Sequence, residues 1–529
     1  MKFKNICLAI AMGFSIVSCD LAEDDSLILT SNDFYKTEEQ CMGVLNSCYI
    51  PLKSLYTGDM FVMTEGVTDI ASLSNGTGNL NGKLDLSPTK PLFGSTVWEK
   101  GYLGVRYCND AIDGFEKSEL PDDTKAPLIA EAKVMRAFYY WLLTSVFGDV
   151  PFYTESIVDA ETLDKITKLP RMSAVDTRNW LIEDLQGCLN DLEHIRTYEI
   201  NGNRAGAMLG YTLIAKMGLW NKKWDIVIDA CENVREVYGD LSQYPLSDIP
   251  FSQKNTPESI FEIQHSYTAG GLDYTSNVAS YCMPYPRKDG DHYDGVRIPE
   301  LGDQASAYIP NRVLRNFIYV TYAKERQDYR RDMTFVEGWD CGDGEGFKNF
   351  STYHTGKNSS WAWLGPKFWC YGMQSNNDSN NYKVFRYAGV LLMAAEAYCM
   401  RQQSNEDMEK AIECLNQIKH RAYPPETIGF TNCYEYNGGK SFARVLEEVK
   451  NECARELFGE FNRKFDLVRW GTWYSSIKAI IDDPDIAKQI NMYVRQNIQP
   501  CHEYYPIPAV QVSYSGNALD NNAYSACGL

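Results

Sequence analysis

Ten large aromatic residues lie where helical periodicity is weak. Trp339, Trp361, Trp363, Trp369 and Tyr371 fall in a stretch rich in glycine and polar residues, with Tyr353 nearby. Tyr274, Tyr281 and Tyr285 fall in a similar stretch upstream, and Trp98 closes a Ser/Asn/Gly/Pro-rich segment at 72–96. A large ring outside a periodic helix is either a plug of local core or a contact surface. For any one ring the core role is the commoner outcome, and for Trp98 it would be an anchor at a helix start. As a group they predict at least one or two rings facing water. Such rings stack on the C–H faces of pyranose sugars, while Asn, Asp and Arg bond the hydroxyls. These ten are therefore the candidate ligand contacts.

Other chemistry finds less support. There is no G-x-S-x-G, H-E-x-x-H or P-loop. With 70 acidic residues, carboxylate pairs are unavoidable, and none is singled out as a glycosidase dyad. No catalytic residue is assigned. The run Asp340-Cys341-Gly342-Asp343-Gly344-Glu345 could hold a structural calcium ion through alternating oxygens, but it lacks the later bidentate Glu of an EF-hand and reads better as a solvated turn. Asp291-His292 with Asp294 reads better as a polar loop than as a metal site. No metal or cofactor is expected beyond that calcium. Arg455, Glu456, Arg463, Asp466 and Arg469 are spaced among apolar residues and read as a satisfied ion-pair network.

Length and composition limit the class. The chain has 529 residues, 13% aromatic and 23% charged, enough apolar content for a large core. A net charge of -19 with no basic run argues against nucleic acid. Lys2 and Lys4, the apolar stretch Ile6–Val17 and the junction Ile16-Val17-Ser18-Cys19 form a signal that looks like a bacterial lipobox. This predicts removal of residues 1–18, lipidation of Cys19 and an acidic tether over 19–32. Sixteen cysteines without a C-x-x-C pair exclude zinc-ribbon and thioredoxin-type readings, and Cys231, Cys399, Cys414 and Cys453 fall on apolar helix faces.

The positioning elements are helices. Glu131 to Pro151 is apolar on every face from Ala137 to Phe147, too short for a membrane span, and stopped by Gly148 and Pro151. It predicts a buried central helix. Amphipathic helices are expected over Asp33–Leu55, Trp98–Phe115, Arg171–Leu192 with Ser173 as N-cap, and Ser441–Phe458. Two helix pairs of about 35–40 residues read as tetratricopeptide-like hairpins. The first runs from Arg204 through Trp224 to Tyr238. The second has Val384, Tyr387, Leu391 and Tyr398 on one helix and Met408, Ile412 and Ile418 on the other. Between the pairs, 240–380 is loop-rich, with one short strand at Ile260–Ile263, and is the expected ligand region.

Three signatures carry a family resemblance. They are Glu131-Ala132-Lys133, Arg136 to Tyr140 and Phe147-Gly148-Asp149-Val150-Pro151; Arg455 to Glu460 with Phe465 to Gly471; and Tyr505-Pro506-Ile507-Pro508 with Asn517, Leu519, Asn521, Asn522 and Tyr524. In this order they resemble the SusD/RagB family of Bacteroidetes surface lipoproteins. The acidic residues Asp20, Glu23, Asp24 and Asp25 resemble the export signal of such lipoproteins. Arg463-Lys464 departs from the family's usual polar-plus-Trp pair and leaves local packing there open. The resemblance implies a mostly α fold with tetratricopeptide-like hairpins and few short strands, in one domain over 33–529. It also implies a non-enzymatic, outer-membrane, surface-facing protein that captures an oligosaccharide or polysaccharide for a SusC-like TonB-dependent transporter. The competing readings are a tetratricopeptide-like scaffold for a peptide or protein, and an enzyme.

Overall fold

The computed structural model describes residues 35–73, 79–267, 274–282 and 311–529, less 315–316, 318–321, 323–326, 337, 341–346, 350–361, 374, 403 and 430–432. At 311–312, 338–340, 347–349 and 362–363 only the backbone is described. The signal, Cys19 and the tether lie outside these residues.

The apolar stretch forms most of a 26-residue helix, Asp122–Phe147. Asp122 and Asp123 in its first turn complement the helix dipole. Gly148 ends it at φ +71°, a left-handed conformation that costs glycine least, and its N–H reaches Thr144 O. Every residue from Val134 to Phe147 is buried, so each polar group needs a partner. Tyr139 donates to Cys48 O at 2.6 Å and Tyr140 to Tyr153 O at 2.8 Å. Arg136 donates to Asp184 at 2.6 Å.

The helix Phe93–Lys117 lies antiparallel against this central helix. Gly104 makes the approach possible, because a Cβ there would stand 2.3 Å from the Tyr139 ring. This helix begins five residues before the expected Trp98, which therefore sits in its second turn and packs on Phe147 with ring centroids 5.2 Å apart.

Both expected hairpins form. Ala207–Trp220 pairs with Trp224–Tyr238, and Tyr387–Arg401 with Asn405–Ala422. Trp224–Tyr238 also packs on Tyr387–Arg401, so the hairpins stack, and Phe442–Glu456 covers the second one. Ser173 caps Ala174–Gln186 by accepting from Asp176 N at 3.0 Å. One assignment is corrected: Val384 lies on a strand, and the helix begins at Tyr387. Among the described residues no helix is long and apolar enough to cross a membrane.

Strands are short. They are β1 Ala71–Leu73, β2 Ser259–Ile263, β3 Asn311–Val313, β4 Phe335–Val336, β5 Gly338–Asp340, β6 Phe347–Asn349, β7 Ala362–Leu364 and β8 Tyr382–Arg386. β2 and β8 pair antiparallel in the interior, and β5 pairs with β6. A four-stranded sheet in the order β1–β3–β7–β4 carries part of the loop-rich region.

Beneath that region lies a balanced set of buried charges. Arg330, Lys367, Arg386, Lys419, Arg421 and Arg455 supply six cations. Asp328, Glu258, Glu448, Glu452, Glu456 and Glu460 supply six carboxylates. Glu456 alone meets Arg330 at 2.9 Å, Arg386 at 3.0 Å and Arg421 at 2.6 Å. Burial pushes the Glu456 carboxyl up, and these arginines more than reverse it, holding it well below the usual range. Arg463 pairs with Asp69 at 2.6 Å, and Arg469 pairs with Asp466 and Glu396. The charged signature residues are thus the expected structural network.

Candidate functional site

Among the predicted contact residues whose side chains are described, Tyr274 and Tyr371 face water, at 52% and 49% exposure. They stand on segments tied together by backbone. Ser276 and Asp378 exchange N–H···O bonds at 2.9 and 2.7 Å, and Ser266 N donates to Tyr274 O at 2.8 Å. Tyr267 closes the connection by donating to Asn377 O at 2.6 Å.

The floor under these segments is buried and polar. Asp378 accepts from Ala279 N at 2.9 Å and from Asn380 N at 3.0 Å, and burial pushes its carboxyl up to about 6. His265, pushed down to about 4 chiefly by burial, is neutral at physiological pH. Lys53 reaches in from the Leu52–Leu55 turn and places its ammonium 5.5 Å from the Tyr274 ring centre. Asn381, which accepts from His265 N at 3.0 Å, joins Asn255 and Gln264 in an amide cluster, with Gln264 donating to Asn255 at 2.7 Å and Asn381 to Gln264 at 2.8 Å. Lys254 and Gln264 are exposed. Ring faces beside amides and ammonium groups suit a polyhydroxylated ligand, which needs stacking and many neutral or charge-assisted hydrogen bonds.

The other predicted residues separate. Trp369 is 0% exposed, and its indole N–H is spent on Leu364 O at 3.0 Å. Tyr281, at 3%, fills the space above Gly58, and Trp98, at 6%, belongs to the helical core. These three are core plugs and are withdrawn as contact residues. Trp339 lies on β5 and Trp363 on β7, opposite Arg312 of β3, with backbone alone described. Tyr285, Tyr353 and Trp361 lie outside the described residues, as do the calcium-loop residues 341–345 and Asp291, His292 and Asp294. Among the described residues no group of three or more His, Cys, Asp or Glu could hold a metal ion.

Lys53 was not legible as part of this surface, because it sits in the first helical segment about 200 residues from Tyr274. Asn255, Gln264 and Asn381 lie at the edges of the loop-rich stretch, but polar amides in a loop carry no signal of their own.

Two family profiles match the chain. One, the SusD family, covers residues 308–524, and the other, described as starch-binding and associating with the outer membrane, covers 43–186. The chain belongs to the SusD/RagB family. A SusD-like protein of Formosa agariphila is 23% identical, with 99% of each chain covered. A SusD homologue from Bacteroides thetaiotaomicron superposes with a TM-score of 0.73 at 18% identity, covering 92% of this chain and 97% of that one. Surface glycan-binding protein A of the same organism, solved with laminarihexaose, gives 0.68 at 20% identity, covering 92% and 99%. The SusD fold therefore extends over most of the chain.

Proposed function

We propose that this SusD-family protein binds an oligosaccharide or polysaccharide at the cell surface without chemical turnover. The observation that carries the reading is the pair of exposed rings, Tyr274 and Tyr371, on hydrogen-bonded segments bordered by Lys53 and the Asn255–Gln264–Asn381 amides. Support also comes from relatives. One fold neighbour is named as laminarin-binding and another was solved with a laminari-oligosaccharide.

In this reading Cys19 carries the lipid, the tether holds the domain at the outer membrane, and the glycan passes to a SusC-like TonB-dependent transporter. Capture needs only modest affinity, because the ligand must leave inward. Sugar faces lie on the tyrosines while amides and Lys53 bond hydroxyls.

The test is retardation of a soluble form lacking residues 1–19 in gels containing laminarin, starch or other polysaccharides, with released sugars assayed in parallel. Retardation without release is expected in at least one gel. Replacing Tyr274 and Tyr371 together by alanine should weaken it by about tenfold or more, each stacked ring contributing about 0.5–1.5 kcal/mol beyond its buried area. Undiminished retardation of the folded double variant removes this surface, and sugar release points to an enzyme.

A further inference from the structure

A cavity of about 690 Å³ opens between the end of the central helix, the start of Ala174–Gln186 and the segments around 500–507 and 521–527. Arg178 lies in its wall, 3% exposed. Five arginines are buried among the described residues, and four meet a carboxylate: Arg136 with Asp184 at 2.6 Å, Arg330 with Glu452 at 2.6 Å, Arg386 with Glu258 at 2.7 Å and Arg455 with Glu448 at 2.7 Å. Arg178 meets none. Its Nη2 donates to Thr144 O at 3.1 Å, while its Nε is sealed from water with no acceptor. Its guanidinium lies 4.3 Å from the Trp220 ring centre.

The neighbouring charges are committed elsewhere. Asp149 accepts the Ala174 N–H at 2.8 Å and stays beyond ion-pair distance of Arg178. Arg171 donates to the carbonyls of Phe147, Asp149 and Asp520. Arg469 is held by Glu396 and Asp466, and the Glu503 carboxyl is pushed up by burial. Burial lowers Arg178 to about 10, which leaves it charged at neutral pH. A buried cation without a counter-charge is costly, and a helix-end carbonyl offsets only part of that cost.

We propose that this cavity is a carboxylate-binding site for an acidic sugar of the uronic-acid class, with the carboxylate at the Arg178 guanidinium and the ring against the aromatic wall. The volume falls in the range of small-molecule sites, about 300–1,000 Å³. Trp220, Tyr504 and Tyr524 line the cavity and supply the flat faces a pyranose requires. A guanidinium recognises a carboxylate through two parallel N–H donors. The site is separate in sequence and in segments from the Tyr274–Tyr371 surface, so either can fail alone.

The protein is titrated with glucuronate, glucose and acetate, followed by calorimetry and by tryptophan fluorescence. Saturable glucuronate binding is expected, with no glucose binding and weaker acetate binding. Arg178→Gln should weaken glucuronate binding by about tenfold or more, the worth of a charge-assisted hydrogen bond. If Arg178→Gln fails to fold, Arg178→Lys keeps the charge and loses the planar edge, with the same loss expected. Absence of saturable glucuronate binding to the wild-type protein, or undiminished binding in the folded variants, overturns the proposal. Acetate binding as tight as glucuronate overturns its sugar component.

Discussion

Lys464 puts an ionisable side chain where water does not reach. It is 3% exposed, its ammonium donates to His502 O at 2.8 Å, and it lies 4.7 Å from the Trp473 ring centre and 4.9 Å from that of Tyr505. Burial lowers it to about 7, with Glu503 pulling weakly the other way. The unfolded chain holds its proton near 10.5. Its contribution to stability is therefore complete above the higher value and lost as pH falls through about 7. Lys464→Met, similar in volume, should raise the thermal midpoint more at pH 6 than at pH 9, and an equal gain at both would refute this account. Glu456→Gln should do the opposite, costing about 3–5 kcal/mol in urea unfolding by leaving three arginines short of their shared anion. The network was readable from Arg455, Glu456 and Arg469 in the sequence, because charges embedded among apolar residues must be paired. The exposure of single rings was not. Trp369 and Tyr371 stand two residues apart in equally polar surroundings, and one is sealed while the other faces water. Which ring turns inward depends on Leu364 O lying where the indole N–H can reach it, and that depends on strand pairing far along the chain.

Most helices and both hairpins followed their periodicity, since a 3.6-residue stripe records a local event, but the stretch expected as one helix over Asp33–Leu55 forms two, Glu38–Ser47 and Leu52–Leu55. Val384 shows the limit. It stands three residues before Tyr387 and seven before Leu391, a spacing that fits a helix. It lies instead on β8, whose partner β2 is over 100 residues upstream. A partner so distant leaves no mark on local spacing. Close helix approach is tested at Gly104. Gly104→Ala would drive a methyl into the Tyr139 ring, which is itself held by Cys48 O. The expected cost is about 1–3 kcal/mol in denaturant unfolding. Alanine is otherwise the better helix former, so a neutral or stabilising result would show that the two helices can separate without penalty.

On the scale of the molecule, the buried charges join parts of the chain that are distant in sequence: Glu258, Asp328 to Arg330, Arg386, Lys419 to Arg421 and Glu448 to Glu460. Burial raises the Glu452 carboxyl, and Arg330, Arg455 and Lys419 hold it far below its ordinary 4.5. Glu456 behaves alike. Both contribute stability that is present above about 4.5 and is lost as pH falls towards their folded values. Burial holds His265 and His502 at about 4, and having to charge them on acidification adds to the loss in the same direction. Acid titration should therefore remove the near-ultraviolet signal of packed aromatics and the far-ultraviolet helix signal together below about pH 4. Two well-separated steps would mean that the network does not couple these segments.

The central helix has a consequence before any of this packing exists. From Ala137 to Gly148 twelve consecutive residues carry no charge. In a nascent chain that run is a sticky surface, ready to join its counterpart on another copy. Rapid dilution from denaturant at high concentration should therefore yield clumps enriched in this segment, and a holdase chaperone that grips it should rescue the yield.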